Sequence, residues 1–281
     1  RDRIEIYDDK NQSVIRRYDD MQLVAEIQQA LDADEFRLLA QPIERLGDNN
    51  GNPRFEILLR MADSDGVRIP SNALFSAAER YHLMPQIDRW VVSKTLAALA
   101  DVATQVEGRG ANFAINLSGQ SLGDDDLFAF IDEEIKQSGL PASCLTFEVT
   151  ESAAVSNLSK AQQFLERLHD LGCSVALDDF GAGLSSFAYL KNFRVNILKI
   201  DGSFIRDITE NRISESMVAA ITQVAKVMEL ETVAEYVEND KTRKLLQSLG
   251  VDYAQGHVMG KPASLTDALQ DLSDLTRSSV G

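Results

Sequence analysis

Six short apolar runs in this sequence end at a polar residue that could hold a metal ion or a water molecule. Short apolar runs bounded by turn residues are typical of buried strands. In a parallel barrel the carboxyl ends of the strands meet at one mouth, where the catalytic residues of such folds collect. The pattern therefore predicts one site built from several strand ends: Asn116, Glu148, Asp178 with Asp179, Lys199, Glu235 and Gln255.

Two adjacent carboxylates form the densest polar feature. Asp178 and Asp179 stand where the apolar run that begins at Ser174 gives way to the sequence Phe-Gly-Ala-Gly. Two ionised carboxylates in a mouth of low dielectric constant repel each other, and one becomes neutral unless a cation lies between them. The pair therefore indicates a divalent metal site. The alternative is an aspartate that caps the following turn.

Further polar residues interrupt apolar runs and favour the metal site. A charged side chain is costly to bury in a strand unless it is paired or binds a metal. Since all the candidate ligands donate oxygen, we expect Mg or Mn rather than zinc. The interrupting residues are Glu56, Asn116 and Glu148.

Lys199 places a positive charge within another apolar run. Neighbouring carboxylates would raise its pKa, so we expect it to stay protonated. It would then donate a hydrogen bond to a water acidified by metal ions, or form a salt bridge with Asp178 or Glu148, and the two roles are compatible.

The three histidines show no metal-site spacing. We interpret His82 and His169 as surface or packing residues in helix-like segments. His257 follows Gln255 and Gly256 at the predicted mouth, where a functional role is open.

Strand-like runs alternate with helical periodicity along most of the chain, which predicts an α/β fold, a TIM-like (β/α)8 barrel. Residues 43–53, which include Gly-Asp-Asn-Asn-Gly-Asn-Pro, are too few for a parallel crossover, so we expect an antiparallel first strand. The predicted strands are Arg37–Pro42, Arg54–Arg60, Asn112–Leu117, Leu145–Thr150, Ser174–Asp178, Asn196–Ile200, Thr232–Ala234 and Tyr253–Gln255, and the predicted later helices are Asp124–Gln137, Asn157–Leu171, Ile213–Met228 and Lys241–Leu249.

Length and composition allow one sizeable core, with 281 residues of which 44% are hydrophobic. We expect a linker and connector helix from a preceding domain in residues 1–34, with the helix near Asp19–Leu31. The barrel would occupy residues 35–265, and a C-terminal helix or tail residues 266–281.

The formal charge of −16 argues against binding to polymeric nucleic acid or anionic membranes. A small anionic ligand stays compatible with this charge if metal ions neutralise it locally. No apolar run approaches the roughly 18 to 20 residues of a membrane span, so we expect no membrane contact by this segment and a cytoplasmic location. Cys144 and Cys173 form no CxxC or zinc spacing and are interpreted as free thiols.

In order and spacing, seven motifs resemble those of EAL-domain cyclic di-GMP phosphodiesterases. The resemblance covers about Met21 to Ser264, and Arg1 to Tyr18 resembles the joint after a diguanylate-cyclase-type domain in tandem proteins. A membrane anchor in N-terminal parts of the full-length protein is compatible with this expectation. The motifs are Glu56-Ile-Leu-Leu-Arg60, Asn116-Leu-Ser118, Glu148-Val-Thr-Glu151, Asp178-Asp-Phe-Gly181, Lys199-Ile-Asp201, Glu231-Thr-Val-Ala-Glu235 and Gln255-Gly256.

The resemblance implies hydrolysis of cyclic di-GMP to linear pGpG with two Mg or Mn ions. It implies a first ion held by Glu56, Asn116, Glu148 and Asp178, and a second served by Asp178, Asp179 and Glu235. Lys199 and Gln255 would orient the attacking water, and the residues implied in catalysis are Lys199, Glu235, Gln255, Glu56 and Asp179. The implied substrate contacts are Gln41, Arg60 and Asp201, and Glu151 would steady the loop from Phe180 to Phe187.

Several positions depart from the commonest family pattern without removing an implied ligand. Ile57 replaces the alanine of the signature and is expected to point away from Glu56 into packing, and Ala40 stands where an aromatic residue often precedes Gln-Pro. The changes with possible consequences for rate, regulation or substrate contact are Leu184, Tyr236 and His257.

Two other functions are compatible with parts of the pattern. A receptor could bind the dinucleotide without turnover, and another Mg-dependent TIM-barrel enzyme could act on an enolate or a phosphorylated sugar, although the latter leaves the ordered motifs unexplained. A homodimer is expected from family similarity and from an apolar stripe that could equally pack on the barrel: Ile213, Met217, Ala220, Ile221 and Val224.

Overall fold

The computed structural model describes residues 12–47, 51–62, 69–182 and 187–278. Its strands are β1 Arg37–Arg45, β2 Arg54–Arg60, β3 Asn112–Asn116, β4 Leu145–Thr150, β5 Ser174–Phe180, β6 Ile197–Ile200, β7 Glu231–Ala234, β8 Tyr253–Gln255 and β9 Ala263–Ser264. Its helices are α1 Gln12–Ala33, α2 Ser71–Arg80, α3 Met84–Ala100, α4 Ala103–Arg109, α5 Asp125–Ser138, α6 Glu151–Ser156, α7 Leu158–Asp170, α8 Phe187–Leu190, α9 Gly202–Arg206, α10 Arg212–Val227, α11 Asp240–Leu249 and α12 Leu265–Ser278.

The first eight strands close into a barrel. Strands β2 to β8 pair in sequence order and run parallel, and β1 closes the sheet by pairing with both β8 and β2. Strand β1 is antiparallel to both neighbours, which confirms the predicted antiparallel first strand. The short β9 adds to β1 outside the closed ring. The (β/α)8-like fold predicted from the sequence is therefore confirmed.

The registers bring the predicted polar residues to one end of the barrel. Gln41 lies opposite Glu56 across the β1–β2 pair, and Asn116 lies beside Glu148 in the β3–β4 pair. The β5–β6 register shifts between Leu177 and Phe180, which is the signature of a bulge. Asp178 and Asp179 lie within this irregularity.

The interior of the barrel below the mouth is apolar and tightly filled. Inward-facing side chains from five strands form one cluster: Ile43, Ala176, Ile197, Val233 and Tyr253. A second, larger cluster lies between the barrel and its helices. Both cysteines are free and buried, as predicted, and burial raises the pKa of Cys144 to about 11 and that of Cys173 to about 12.

Element boundaries differ from the predictions mainly at the ends of helices. Helix α1 begins at Gln12 rather than near Asp19, and three helices, α2 to α4, fill the crossover from β2 to β3. The helical assignment of His82 is wrong: it lies in the turn between α2 and α3 with a φ of 57°. A turn that reverses the chain between two helices needs a residue in this left-handed region.

The apolar stripe of α10 divides between the barrel and the outside. Ile221 is buried in the core, whereas Ile213 is 75% exposed. The buried face of this helix is the one that carries Val218, Ile221 and Ala225. Among the described residues, no helix is both long and apolar enough to cross a bilayer.

The end of the barrel opposite the polar mouth is closed by complementary contacts. Arg54 Nη1 lies 2.7 Å from Glu231 Oε2, and its guanidinium lies 4.1 Å from the centre of the Tyr253 ring. The Tyr253 hydroxyl donates to Glu231 Oε1 at 3.1 Å. These residues begin β2, β7 and β8, so the contacts tie strands from both sides of the barrel.

We predict that Arg54→Ala lowers the free energy of unfolding by about 1 to 2 kcal/mol, because a partly exposed ion pair and a cation–π contact are each worth about 0.5 to 1 kcal/mol. Urea unfolding of the variant and the parent protein measures this change. Lys244→Ala, which removes a basic residue of α11, serves as the control. A midpoint unchanged from that of the parent would contradict the stabilising role.

Candidate active site

The polar mouth of the barrel is organised around the buried ammonium group of Lys199. Its side chain is 1% exposed, and its Nζ lies near four carboxylates from four other strands or strand ends. The distances from Nζ are 2.6 Å to Glu148, 2.9 Å to Glu235, 3.3 Å to Asp178 and 3.5 Å to Glu56. The salt bridges expected with Asp178 and Glu148 are therefore present, together with two more.

Glu56 is held in place by amide side chains on both sides. Asn116 Nδ2 donates to its Oε1 at 2.7 Å, and Gln255 Nε2 donates to its Oε2 at 2.6 Å. Gln255 Nε2 also donates to Gln41 Oε1 at 3.2 Å, and Gln41 Nε2 donates to the carbonyl of Gly260 at 3.1 Å. The two acceptors, Gln41 Oε1 and Glu56 Oε2, fix the amide orientation of Gln255, because both face its nitrogen.

Among the polar atoms buried at the mouth, one with a fixed position has no hydrogen-bond partner among the described residues. It is Oε1 of Gln255, whose nitrogen side is fully engaged. The following Gly256 keeps this strand end close to its neighbour, because a Cβ there would lie 2.2 Å from the carbonyl oxygen of Val237. The oxygen therefore has a fixed position and an unused capacity to accept a hydrogen bond.

The charges at the mouth are unbalanced, and the pKa values respond. Burial raises the pKa of Glu235 to about 8, and burial also raises the pKa of Glu148 and Asp178, although Lys199 opposes the rise in all three. Burial would lower the pKa of Lys199, but the surrounding carboxylates outweigh it and raise that pKa well above its usual value. One ammonium group cannot compensate four carboxylates, so protons are retained. The expected protonated state of Lys199 follows from this geometry.

Glu56 behaves differently from its neighbours. Burial would raise its pKa, but Lys199 and the hydrogen bonds from Gln255 and Asn116 outweigh burial and lower it. Glu56 is therefore the carboxylate of this cluster with the strongest preference for the ionised form.

Three carboxylates form a cluster with the spacing of a metal site. Oxygen atoms of Asp178, Asp179 and Glu235 all lie within 4.8 Å of one another. Burial, reinforced by the charges of Asp178 and Asp201, raises the pKa of Asp179 to about 6. An arrangement in which like charges raise each other's pKa values could hold a metal ion.

Asp179 has a strained backbone. Its φ is 53°, in the left-handed region that non-glycine residues rarely adopt. Its N–H donates to Asp178 Oδ1 at 2.9 Å, and the Ala182 N–H donates to its carbonyl at 3.3 Å. The carboxylate of Asp178 thus faces Lys199 and also accepts from the N–H of the next residue.

Two cavities open at this mouth. The larger, of about 780 Å³, extends between β2, β3 and the helices α2 and α3, and the smaller, of about 370 Å³, lies over Asp178, Asp179, Glu235 and Gln255. Four residues line both: Glu56, Leu58, Arg60 and Tyr236. Both volumes fall within the usual range for small-molecule sites.

Tyr236 forms part of the boundary between the cavities. Its ring is packed on Gly202, where a Cβ would lie 2.1 Å from a ring carbon, and the guanidinium of Arg206 lies 4.3 Å from the ring centre. The residue is 50% exposed and its φ is 55°. The departure noted in the sequence thus places an aromatic ring, in a backbone conformation that favours glycine, beside both cavities.

The other predicted residues occupy separate positions around the mouth. Arg60 lines both cavities and donates to the carbonyl of Leu59 at 2.7 Å. Asp201 caps helix α9 by accepting from the N–H of Ser203 at 2.9 Å and lines neither cavity. Glu151 Oε2 accepts from the N–H of Gly181 at 3.0 Å, at the start of the loop it was predicted to steady. Leu184 and the centre of that loop lie outside the described residues.

Ile57 is buried in the core, in agreement with the packing role predicted for it, and Ala40 is buried there too. His257 lines the smaller cavity, and its Nδ1 lies 3.0 Å from Glu238 Oε2. The sequence pattern did not single out Glu238, because an exposed glutamate after a strand is common. It also passed over Asp88, whose only signal is a charged residue among the apolar positions of α3.

Comparisons with known proteins agree with this architecture. The sequence profile described as "EAL domain" matches residues 24–262. The chain is 38% identical over 260 residues to cyclic di-GMP phosphodiesterase PdeF of Escherichia coli (strain K12), with 92% of this chain and 34% of that protein covered. It is 37% identical over 262 residues to cyclic di-GMP phosphodiesterase PdeB of Shewanella oneidensis (strain MR-1), with 93% and 30% covered.

The chain therefore spans about a third of the length of these two relatives. Among solved structures, the PaMucR phosphodiesterase in complex with c-di-GMP has a TM-score of 0.81 at 29% identity, with 88% of this chain and 99% of that one covered. The FimX EAL domain from Pseudomonas aeruginosa bound to c-di-GMP has a TM-score of 0.79 at 30% identity, with 86% and 96% covered. From its barrel, its mouth residues and these similarities, the chain belongs to the EAL domain family.

Proposed function

We propose that this chain hydrolyses cyclic di-GMP to linear pGpG with two Mg or Mn ions. The proposal is carried by the cluster around Lys199, in which four carboxylates face one ammonium group at the mouth of a barrel that belongs to the EAL domain family. Relatives that cover most of the chain are named cyclic di-GMP phosphodiesterases. Their activity comes to this chain as an inference.

The residues at the mouth fit divalent cations by their donor chemistry. The cluster offers carboxylate and amide oxygens, which Mg and Mn prefer. Burial, together with the charges of Asp178 and Glu56, raises the pKa of Glu235 to about 8. Glu56, Asn116, Glu148 and Asp178 would hold one ion, and Asp178, Asp179 and Glu235 the other. When bound, such ions acidify a water molecule and offset the charge of a phosphodiester.

Lys199 and Gln255 would position the attacking water. Lys199 stays protonated, so it donates hydrogen bonds and cannot act as the base while charged. The unpartnered Oε1 of Gln255 accepts, and its orientation is fixed by Glu56 and Gln41. A donor at the end of β6 and an acceptor at the end of β8, with β7 between them, would fix both the place and the orientation of one water molecule.

Arg60 and Gln41 would bind the substrate. Arg60 lines both cavities, and its planar guanidinium suits a phosphate or the edge of a guanine. Gln41 lines the smaller cavity. Asp201, as the cap of α9, would contribute indirectly through Asp179, whose pKa it raises.

A cytoplasmic setting, a preceding diguanylate-cyclase-type domain and a homodimer belong to the same proposal. The resemblance of Arg1–Tyr18 to an interdomain joint supports the tandem arrangement. The 75% exposure of Ile213 on α10 supports a dimer surface on this helix.

We expect the purified chain to convert cyclic di-GMP to pGpG with Mg or Mn, as measured by chromatography of the products. Glu56→Ala should reduce turnover by about 100-fold or more, since loss of even an outer partner of a metal ligand costs about 10- to 100-fold. Glu44→Ala, which removes an exposed glutamate that lines neither cavity, should leave turnover unchanged.

Tight binding of the dinucleotide without turnover in either metal would show that the chain is a receptor and not an enzyme. Turnover that survives Glu56→Ala would contradict the metal assignment of that residue.

We predict that, without divalent metal, the protein becomes less stable as the pH rises from about 6 to 8. The pKa of Glu235 is about 8 in the folded protein against 4.5 ordinarily, so in this range unfolding releases a proton and rising pH favours it. One such group contributes at most about 1.4 kcal/mol per pH unit. Thermal unfolding in EDTA across this range measures the slope, and saturating Mg or Mn should reduce it.

Glu235→Gln is the matched control, because it keeps the shape of the side chain and removes its titration. A slope that Glu235→Gln leaves unchanged would assign the pH dependence to other groups.

Tyr236→Gly should weaken substrate binding more than it slows turnover. Stacking of a base on an aromatic ring is worth about 1 to 3 kcal/mol, so we expect KM to rise by about fivefold or more with little change in kcat. Steady-state kinetics measure both constants, and Tyr81→Ala, at an exposed tyrosine that lines neither cavity, is the control. A KM equal to or below that of the parent would show that the ring does not contact the substrate.

A further inference from the structure

Asp88 is a buried carboxylate in the wall of the larger cavity, and it is not among the proposed metal ligands. It lies on α3 and is 3% exposed. Its Oδ2 accepts two hydrogen bonds, from the backbone N–H of Ser118 at 3.0 Å and from the hydroxyl of Ser121 at 2.6 Å. Both donors belong to the segment that follows β3.

The burial of Asp88 is costly to the fold. Burial raises its pKa to about 6, and the two serines oppose the rise only in part. Among the described residues, no cationic side chain forms an ion pair with Asp88. A buried carboxylate without a cationic partner is typically a poorer choice for stability than a neutral side chain of similar shape. Its presence therefore calls for a role other than packing.

The hydrogen bonds of Asp88 indicate that role, because they reach the segment directly after Asn116. Ser118 stands two residues after Asn116, and the N–H of the intervening Leu117 donates to the carbonyl of Glu148 at 2.8 Å. Asn116 in turn donates to Glu56 at 2.7 Å. The strand end that carries Asn116 is thus held by β4 on one side and by Asp88 immediately beyond it.

The segment after Asn116 is tightly fixed by these bonds. Ser118 Oγ donates to Ser121 Oγ at 3.2 Å, and the N–H of Ser121 donates to the carbonyl of Ser118 at 3.1 Å. Ser121 is fully buried. Asp88 is the acceptor at which this small network ends, so its removal would leave buried donors without a partner.

We propose that Asp88 is a positioning residue that, through Ser118 and Ser121, fixes Asn116 in the orientation needed to bind a divalent cation. This inference rests on the proposed function, because it takes Asn116 to be a metal ligand. A partner of this kind controls the geometry of a ligand rather than touching the ion, and its loss weakens metal binding.

The experiment compares Mn²⁺ binding by the metal-free parent chain and its variants, with free Mn²⁺ measured by electron paramagnetic resonance. Asp88→Ala should raise the Mn²⁺ dissociation constant by about tenfold or more, and Ser121→Ala, which removes one of the two donors, should raise it by a smaller factor. Thermal unfolding of each protein reports separately on the fold.

Asp34→Ala is the matched control. Asp34 also accepts two hydrogen bonds from α3, from Trp90 Nε1 at 2.8 Å and from Lys94 Nζ at 2.6 Å, but it lies outside the site. Its loss removes the same number of bonds to the same helix. A general loosening of α3 would change Mn²⁺ binding in both variants, whereas positioning of Asn116 would change it only at Asp88.

Mn²⁺ affinities within twofold of the parent for both Asp88→Ala and Ser121→Ala would overturn the proposal, and so would an equal loss in Asp34→Ala. If Asp88→Ala does not fold, Asp88→Asn and Ser121→Ala decide: a threefold loss in either supports the proposal, and no loss in both overturns it. A parent chain that neither binds Mn²⁺ nor hydrolyses cyclic di-GMP would sink the proposed function and this inference together. A parent that does both, with variants that match it, would sink this inference alone.

Discussion

The ammonium group of Lys199 is the interaction on which the arrangement of the mouth depends. It is buried to 1% exposure and lies between 2.6 and 3.5 Å from four carboxylates. Without that single positive charge, the carboxylates of Glu56, Glu148, Asp178 and Glu235 would repel one another in a medium that screens poorly. With it, they are held close together, but one ammonium group does not balance four ionised carboxylates, so some of them retain protons. The site is thus assembled without a metal and electrostatically incomplete without one.

The barrel makes this concentration of charge possible by controlling register. Each of the strands β2 to β7 contributes a polar residue at the same end, and the antiparallel β1 places Gln41 opposite Glu56. A shift of one residue in any strand would turn its ligand away from the mouth. The apolar filling below, with Ile43, Ile197 and Val233, disfavours such shifts because they would bring polar side chains into the core.

Much of this was predictable from the sequence, and the reason is energetic. A glutamate between Phe147 and Val149, or a lysine between Leu198 and Ile200, is too costly in a buried strand to be incidental, so such residues mark a site. The predicted bounds of three strands agree with the structure to the residue, because in each an apolar run is bounded by polar or turn residues. These strands are Arg54–Arg60, Leu145–Thr150 and Tyr253–Gln255.

Residues whose role depends on tertiary contacts could not be predicted in this way. From the sequence, Asp88 is only one polar position of a helix. Its role depends on the packing of α3 against the segment after β3. From the sequence, Tyr236 is only a departure from the family pattern. The structure adds that its ring packs on Gly202 and that its φ is 55°. His82 was misassigned because a left-handed turn residue between two helices leaves the helical periodicity nearly intact. A local sequence pattern indicates which residues are buried, but it does not indicate which distant residues they contact.

The two ends of the barrel differ in how well their interactions are satisfied, and this difference separates stability from function. At the closed end, Arg54 is paired with Glu231 and stacked on Tyr253. At the mouth, burial and neighbouring carboxylates raise the pKa values of Asp178 and Asp179, and Asp179 and Tyr236 hold left-handed backbone conformations. Non-glycine residues in that region cost about 1 to 2 kcal/mol each, and they persist only where their surroundings enforce them. The left-handed conformation of Asp179 occurs in the bulge of β5, and that of Tyr236 is accompanied by contacts of its ring with Gly202 and Arg206. The excess of like charge therefore lies where a bound cation would offset it, while the paired contacts of the closed end stabilise the barrel.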